Sequence, residues 1–341
     1  MRSSRFALQL HPSTPHAHPH TSAAASTSFL GLYYKLQHFW RAVAITYRGL
    51  QEAPPRAGHP SRSDAPPCAA SSALPELEAL AAVVHTRYAC RRFDPQRKVP
   101  PPLLERLLRL TTRSPTGYNL QGYHLVVLER EADKQAACVA CLGQRQVLDA
   151  SHLVLFVADK ECERNAPAAL ELGLDTTYYR STLYGPSYLR QVYYYLHGGP
   201  ANSMACLKRS VSEFYTSAVN RHHRTAKVAL ITVPESPTAY AWKQAMLACG
   251  LFLHLCTAAR VQTSPLEGFD ETALKHLIGL EEPGSARHRA AAAAHHNAKD
   301  ANRYTIPVVV CVGYAAAGEG AAQHVYSPRF APSHFIRWHR F

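Results

Sequence analysis

Apolar residues recur at helical spacing from Pro75 to Thr86 and again from Pro101 to Thr112, which predicts two helices. Proline opens the second, where its missing amide costs nothing. Tyr123–Glu129 and His152–Ala158 read as strands, with a helical stretch, Glu131 to Leu142, between them. The second strand is nearly all apolar, which places it at the centre of a sheet. Ser236-Pro237 starts a long segment, Pro237 to Arg260, that is apolar almost all round and should be buried, centrally or between subunits. Ile306–Val312 is a β-branched strand, and His334–Phe341 reads as a last edge strand. The alternation is neither βαβαβ nor all-β, so an α+β layer fold fits best.

Two stretches break this pattern. Residues 161–235 are rich in tyrosine, including Tyr178-Tyr179 and Tyr193-Tyr194-Tyr195, and read as an aromatic packing or lid insertion. Residues 285–303, rich in Ala and His, read as a low-complexity surface loop. Residues 1–51 contain no Asp or Glu but carry Arg2, Arg5, Lys35, Arg41 and Arg48, the composition of a mitochondrial transit peptide; a merely disordered tail is the alternative. The run Phe29 to Tyr47 is too polar to span a bilayer, so no transmembrane segment is expected. Residues 52–73, rich in Pro, Ala and Ser, read as a linker, which leaves 74–341 as the folded domain.

Charge narrows the partners. The chain carries 37 Lys+Arg against 24 Asp+Glu, a formal +13, yet these basic residues are scattered. Nucleic-acid binding wants a basic stripe interleaved with aromatics, so no nucleic-acid partner is expected. Small anionic cofactors and solvated surface account for the excess. The nine cysteines are odd in number and irregularly spaced, which argues for free thiols in a reducing compartment. Cys138 and Cys141 form a C-x-x-C with no second pair; two small residues on one helix face explain it better than a redox or zinc role, and no metal site is expected.

Four segments carry candidate chemistry. Arg87-Tyr88-Ala89-Cys90-Arg91-Arg92 supplies fork-shaped cationic donors for a phosphate, though Arg at a helix end also serves the dipole. Ser114-Pro115-Thr116-Gly117-Tyr118-Asn119-Leu120-Gln121 is a small-residue turn able to press its backbone on a planar ring; an ordinary helix-to-strand connection is the alternative. Gln144 to His152 precedes the central strand. Ser264-Pro265-Leu266-Glu267-Gly268-Phe269-Asp270 follows the long apolar segment; Gly268 permits close approach and Pro265 limits the freedom of what reads as a loop.

In this order and at these separations the segments resemble the FMN-dependent nitroreductase family, over about Leu74 to the C-terminus with the two insertions. The resemblance implies a nitroreductase-like mixed or antiparallel sheet flanked by helices, a long central helix at a homodimer interface, and a C-terminal arm wrapping the partner. It implies FMN as cofactor, NADH or NADPH as reductant, and a nitroaromatic or quinone as acceptor, served in turn by a ping-pong mechanism. The FMN phosphate and ribityl chain would meet Arg87, Tyr88, Ala89, Arg91 and Arg329. Pro115, Thr116, Gly117 and Asn119, with Gln121, would pack on the isoalloxazine across the dimer interface. Gln146 would reach the flavin pyrimidine, and the amides of Glu267 and Gly268, following Pro265 and Leu266, would face N5 and O4. No side chain is implied as an acid–base catalyst. The chain departs from the family pattern at Ala89 and Cys90, where a hydroxyl is common, at Gly122 in place of proline, at Gln146 in place of Lys or Asn, and at Ser327 in place of Lys. A different flavin reaction on the same fold, such as reductive dehalogenation, and a degenerate non-enzymatic member remain the alternatives. The organellar N-terminus with long insertions resembles the nitroreductases of unicellular eukaryotes such as trypanosomatids.

Overall fold

The computed structural model describes residues 74–176, 178, 188–189, 191–192, 195–196, 205–222, 236–281, 299–318 and 329–338. The expected transit peptide and linker, Ser327, and parts of both insertions lie outside these residues. Helices α1 (Pro75–Thr86) and α2 (Pro101–Thr111) precede strand β1 (Tyr123–Leu128). Helices α3 (Glu131–Ala140) and α4 (Gln146–Asp149) lead into β2 (His152–Asp159). The tyrosine-rich stretch contributes α5 (Ala166–Asp175) and α6 (Ala205–His222). The long helix is α7 (Pro237–Ala258), followed by β3 (Gln262–Leu266) and α8 (Glu271–Leu277). Short strands β4 (Leu280–Glu281) and β5 (Lys299–Asp300) precede β6 (Tyr304–Gly313), and α9 (Pro332–Phe335) comes last.

The main sheet has the order β1-β2-β6-β3, with every neighbouring pair antiparallel. All of β2 is buried, as its continuous apolar run requires. Its alternation divides the core in two. Val154, Phe156 and Ala158 of β2 and Val308, Val310 and Val312 of β6 face α7, which meets them with Ala241, Ala245, Ala248, Cys249, Phe252 and Cys256. The alanines let the helix axis approach closely, and Phe252 tilts against Phe156 at 5.8 Å between centroids. Leu153, Leu155 and Val157 with Val309 and Cys311 face the other way, against α3 and α8. The α+β expectation therefore holds, with the sheet central and antiparallel.

Helix ends have local causes. Ser236 caps α7, its Oγ accepting from the Ala239 amide at 3.3 Å, with proline in the first turn. Helix α3 stops at Ala140, two residues before the expected end, because Leu142 and Gly143 adopt left-handed φ of 59° and 72°. Arg260, at φ 59°, likewise lies beyond α7.

Three expectations are corrected. Of the stretch expected to form an edge strand, His334–Phe341, the first two residues end α9, which Pro332 opens in the position proline favours, 336–338 form no strand, and 339–341 lie outside the described residues. Ser264 to Leu266 is not a loop but the last part of edge strand β3, and Pro265 pairs with Val310. The C-terminal end of the expected 285–303 loop is structured: β5 pairs in parallel with β4, and Ala301 is buried. Arg303 closes on the carboxylate of buried Asp159, with Nε to Oδ1 at 2.9 Å and Nη2 to Oδ2 at 2.5 Å. Within the single chain the long helix buries its sheet-facing side, while Trp242, Met246 and Leu247 on its outer face are 43%, 39% and 52% exposed. No helix among the described residues is long and apolar enough to cross a membrane.

Candidate functional site

Strand β3 organises the site. Its inner side pairs with β6, and its outer side accepts the segment after α1, through a parallel bridge between Ala89 and Thr263 and a 2.9 Å hydrogen bond from the Cys90 amide to the Thr263 carbonyl. Arg87 and Arg91 therefore flank a point fixed on the sheet edge; Arg87 is half-buried and Arg91 exposed. Arg91 also acts on the Cys311 thiol, which burial pushes up and the guanidinium draws slightly back. The parallel register that pairs Ala89 with Thr263 carries the backbone of Arg91 toward the start of the Pro265–Gly268 segment. Tyr88 lies in the core at 5% exposure, so its side chain is a packing element.

Beyond Leu266 the chain leaves the sheet. A Cβ added to Gly268 meets nothing within 4 Å, so the space at this edge is open. Glu267 is exposed and approaches α7, where it reinforces the effect of burial in pushing the Cys249 thiol up to about 12. The Gly268 carbonyl accepts from Gln144 Nε2 at 3.4 Å, and Gln144 Oε1 accepts from buried Gln146 Nε2 at 3.2 Å. Gln146 thus reaches this edge through Gln144. Sequence reasoning chose Gln146 and missed Gln144; both lie in the same stretch, and the four-residue length of α4 gave no periodicity to separate them.

The turn of Pro115, Thr116, Gly117 and Asn119 sits farther along α7. The Gly117 amide donates to Gln244 Oε1 at 2.7 Å, and the Tyr240 hydroxyl lies so close that a Cβ on Gly117 would fall 2.2 Å from it. Gln244 precedes Cys249 by five residues, about 7.5 Å along the helix. The structure thus joins the Arg87–Arg91, Gln144–Gln146 and β3 segments directly, and ties the turn to them through α7. Arg329 is exposed on the segment leading into α9.

The donor set suits a phosphate-bearing planar molecule. Two arginines flank the residues bridged to one strand edge, an open glycine continues it, and a small-residue turn faces the same helix. Among the described residues, no cluster of three or more His, Cys, Asp or Glu side chains could hold a metal ion. Cys138 and Cys141 are buried free thiols, and burial beside Cys138 pushes Cys141 up to about 11, which keeps it protonated and inert.

Fold and candidate site together define an α+β protein in which the candidate segments gather along a strand edge backed by one long helix. The nitroreductase family model matches residues 84–314, and the chain belongs to that family. It is 25% identical over 228 residues to an oxygen-insensitive NAD(P)H nitroreductase of Salmonella typhimurium, covering 65% of this chain and 91% of the relative. A protein of the same description from Enterobacter cloacae is 25% identical over 227 residues, covering 65% and 90%. The crystal structure of a Bacillus subtilis protein described as a nitroreductase superposes with a TM-score of 0.54 at 16% identity, over 77% of this chain and 99% of that one, a likeness of fold.

Proposed function

We propose that this chain is an FMN-dependent NAD(P)H oxidoreductase that reduces nitroaromatics or quinones. The observation that carries the reading is the bridge between Ala89 and Thr263, which sets Arg87 and Arg91 beside the strand that runs out into Glu267 and Gly268. Arg87, Arg91 and Arg329 would hold the phosphate as charge-assisted donors. Open space at Gly268 admits the edge of a planar ring, and Gln144 steadies that glycine through its carbonyl. Bound FMN supplies the redox chemistry, two-electron exchange with a nicotinamide and with the acceptor. The protein's part is binding, orientation and exclusion of water.

One face of one cofactor would serve both substrates, so turnover is ping-pong. A homodimer is supported by adjacent apolar surfaces: Trp242, Met246 and Leu247 on α7, and Leu77, Leu80 and Val84 on α1, which packs against it, are all exposed. Residues 1–73 would direct the protein to mitochondria, on the strength of their acid-free start.

Purified full-length protein tests the reading. It should be yellow, with a flavin absorbance band that NADH or NADPH bleaches and a quinone restores, and double-reciprocal plots should be parallel. A colourless protein that takes up no added FMN refutes the cofactor. Intersecting lines refute the shared site. A fusion of residues 1–73 that stays diffuse in the cytosol refutes the targeting.

A further inference from the structure

The turn that would pack on the flavin is held in an unfavourable shape. Tyr118, Asn119 and Gln121 adopt φ of 54°, 55° and 49°. Asparagine tolerates this region, but tyrosine and glutamine do not, at a cost on the order of 1 kcal/mol each. Such a conformation persists only where the surroundings over-determine it.

The surroundings here come mostly from the tyrosine-rich stretch. The Tyr188 hydroxyl donates to the Tyr118 carbonyl at 2.8 Å. Its ring meets the Tyr118 ring edge-on, with centroids 6.3 Å apart, and Tyr188 is only 1% exposed. Asn165 Nδ2 donates to the Leu120 carbonyl at 2.9 Å. From the domain side, Gln244 accepts from the Gly117 amide, and the Gln121 amide donates back to Thr116 Oγ1 at 3.0 Å. Two carbonyls of the strained turn are therefore satisfied by side chains of residues 161–235. Leu120, Tyr188, Cys162, Ala166, Ala169 and Val192 form a small core of their own beneath it.

We propose that Tyr188, seconded by Asn165, is a positioning residue that locks the 116–121 turn in its left-handed shape, so that the insertion sets the wall against which flavin and acceptor pack. The proposal rests on the flavin reading for the role of that wall; the lock itself is a property of this chain's backbone. Without the hydroxyl, the part-buried Tyr118 carbonyl loses this donor and the strain is opposed by one contact fewer.

The test compares full-length protein with Tyr188→Phe and Asn165→Ala, using exposed Tyr178 as a control through Tyr178→Phe. Amide hydrogen exchange over residues 116–121 should quicken about fivefold or more in the first two variants, the effect of losing one hydrogen bond. Exchange by local opening of α8, on the other face of the sheet, should be unchanged, while β2, which reports global unfolding, rises by at most the same factor, because the lost bond also lowers the native state against the unfolded chain. FMN release from the holoprotein, followed by its fluorescence, should quicken alongside. Unchanged exchange in the turn overturns the proposal, as does an equal rise in α8. Altered turn exchange with unaltered FMN release overturns the link to the wall. Wild-type protein that holds no FMN refutes the flavin reading instead, and the exchange data still judge the lock.

Discussion

Gly117→Ala isolates one contact at the turn. Gly117 is not at a left-handed φ, so alanine fits its backbone, and the substitution probes space alone. The added Cβ would lie 2.2 Å from the Tyr240 hydroxyl oxygen, about 1 Å inside normal contact, and 3.3 Å from Cζ. The ring cannot swing away freely, because Tyr240 packs against Tyr195 at 6.3 Å. Overpacking of this kind costs about 1–3 kcal/mol, offset by up to about 1 kcal/mol from the stiffer unfolded chain, so a net loss of about 1–2 kcal/mol is expected. Tyr240→Phe alone should be nearly neutral. Its hydroxyl is buried with no hydrogen-bond partner among the described residues, and burial holds its ionisation well above the usual range. In the double variant the nearest ring atom is Cζ, which needs to yield only a few tenths of an ångström. The loss from Gly117→Ala should then largely vanish, a coupling of about 1 kcal/mol or more. Urea unfolding at one fixed FMN concentration measures it, since cofactor binding itself shifts the midpoint. Additive effects within about 0.5 kcal/mol would refute the clash.

Gly268→Ala should leave stability within about 0.5 kcal/mol, because nothing lies near the new methyl, yet weaken FMN binding about tenfold; unchanged affinity in a fluorescence titration would place the cofactor elsewhere. Asp159→Asn should cost about 3 kcal/mol in urea, since it strands the Arg303 guanidinium against a buried site. His152 supplies a pH dependence. Ser151 Oγ accepts from the Val99 amide at 2.8 Å and shares a hydrogen bond with His152 Nδ1 at 2.9 Å, its direction set by the imidazole tautomer. Burial depresses the pKa of this imidazole below that of the unfolded chain, against a partial opposing pull from Glu129. Its stability contribution is complete above about pH 6.5 and is lost as pH falls through the depressed value, by up to about 1.4 kcal/mol per pH unit. Urea midpoints between about pH 7.5 and about pH 5.5 should fall for the wild type and flatten in His152→Gln; parallel slopes would refute the assignment.

What the sequence made legible follows from what is periodic. The all-apolar run of β2, the β-branched run of β6 and the length of α7 each carry many residues of signal, so their type and place were readable within two residues. Short or punctuated elements were not. Ser264-Pro265 reads as a loop because proline usually breaks strands, and only the sheet order makes β3 an edge, where proline is tolerated. The Asp159–Arg303 pair joins residues 144 positions apart across a stretch that reads as low complexity, and nothing local signals it. In the turn, glycine drew attention to residue 117, whereas the left-handed residues are Tyr118, Asn119 and Gln121, forced there by contacts with a distant part of the chain. The candidate segments were legible as separate motifs; the contacts that gather them were not, because they depend on one bridge outside any long strand.

That bridge explains why this edge stays open. Thr263 turns its carbonyl outward to Cys90, and backbone groups alternate along a strand with a period of two. Pro265 therefore also faces outward, so its missing N–H falls on the free edge and leaves the β6 ladder intact. With no donor at Pro265, the outer pairing begun at Ala89 and Cys90 has no amide with which to continue, and the chain from Arg91 bends away to bridge Ala315 through Phe93. One step past the strand, Glu267 leads into open Gly268. A proline at this position thus ends the competing backbone ladder just before that open segment. Pro265→Ala should preserve the sheet, and FMN affinity measured with it separates a stiffening role for the proline from this edge-clearing one: stiffening alone predicts the same loss for Pro265→Ala and Pro265→Val, whereas edge clearing predicts that a variant able to extend the pairing also slows exchange of the new residue-265 amide.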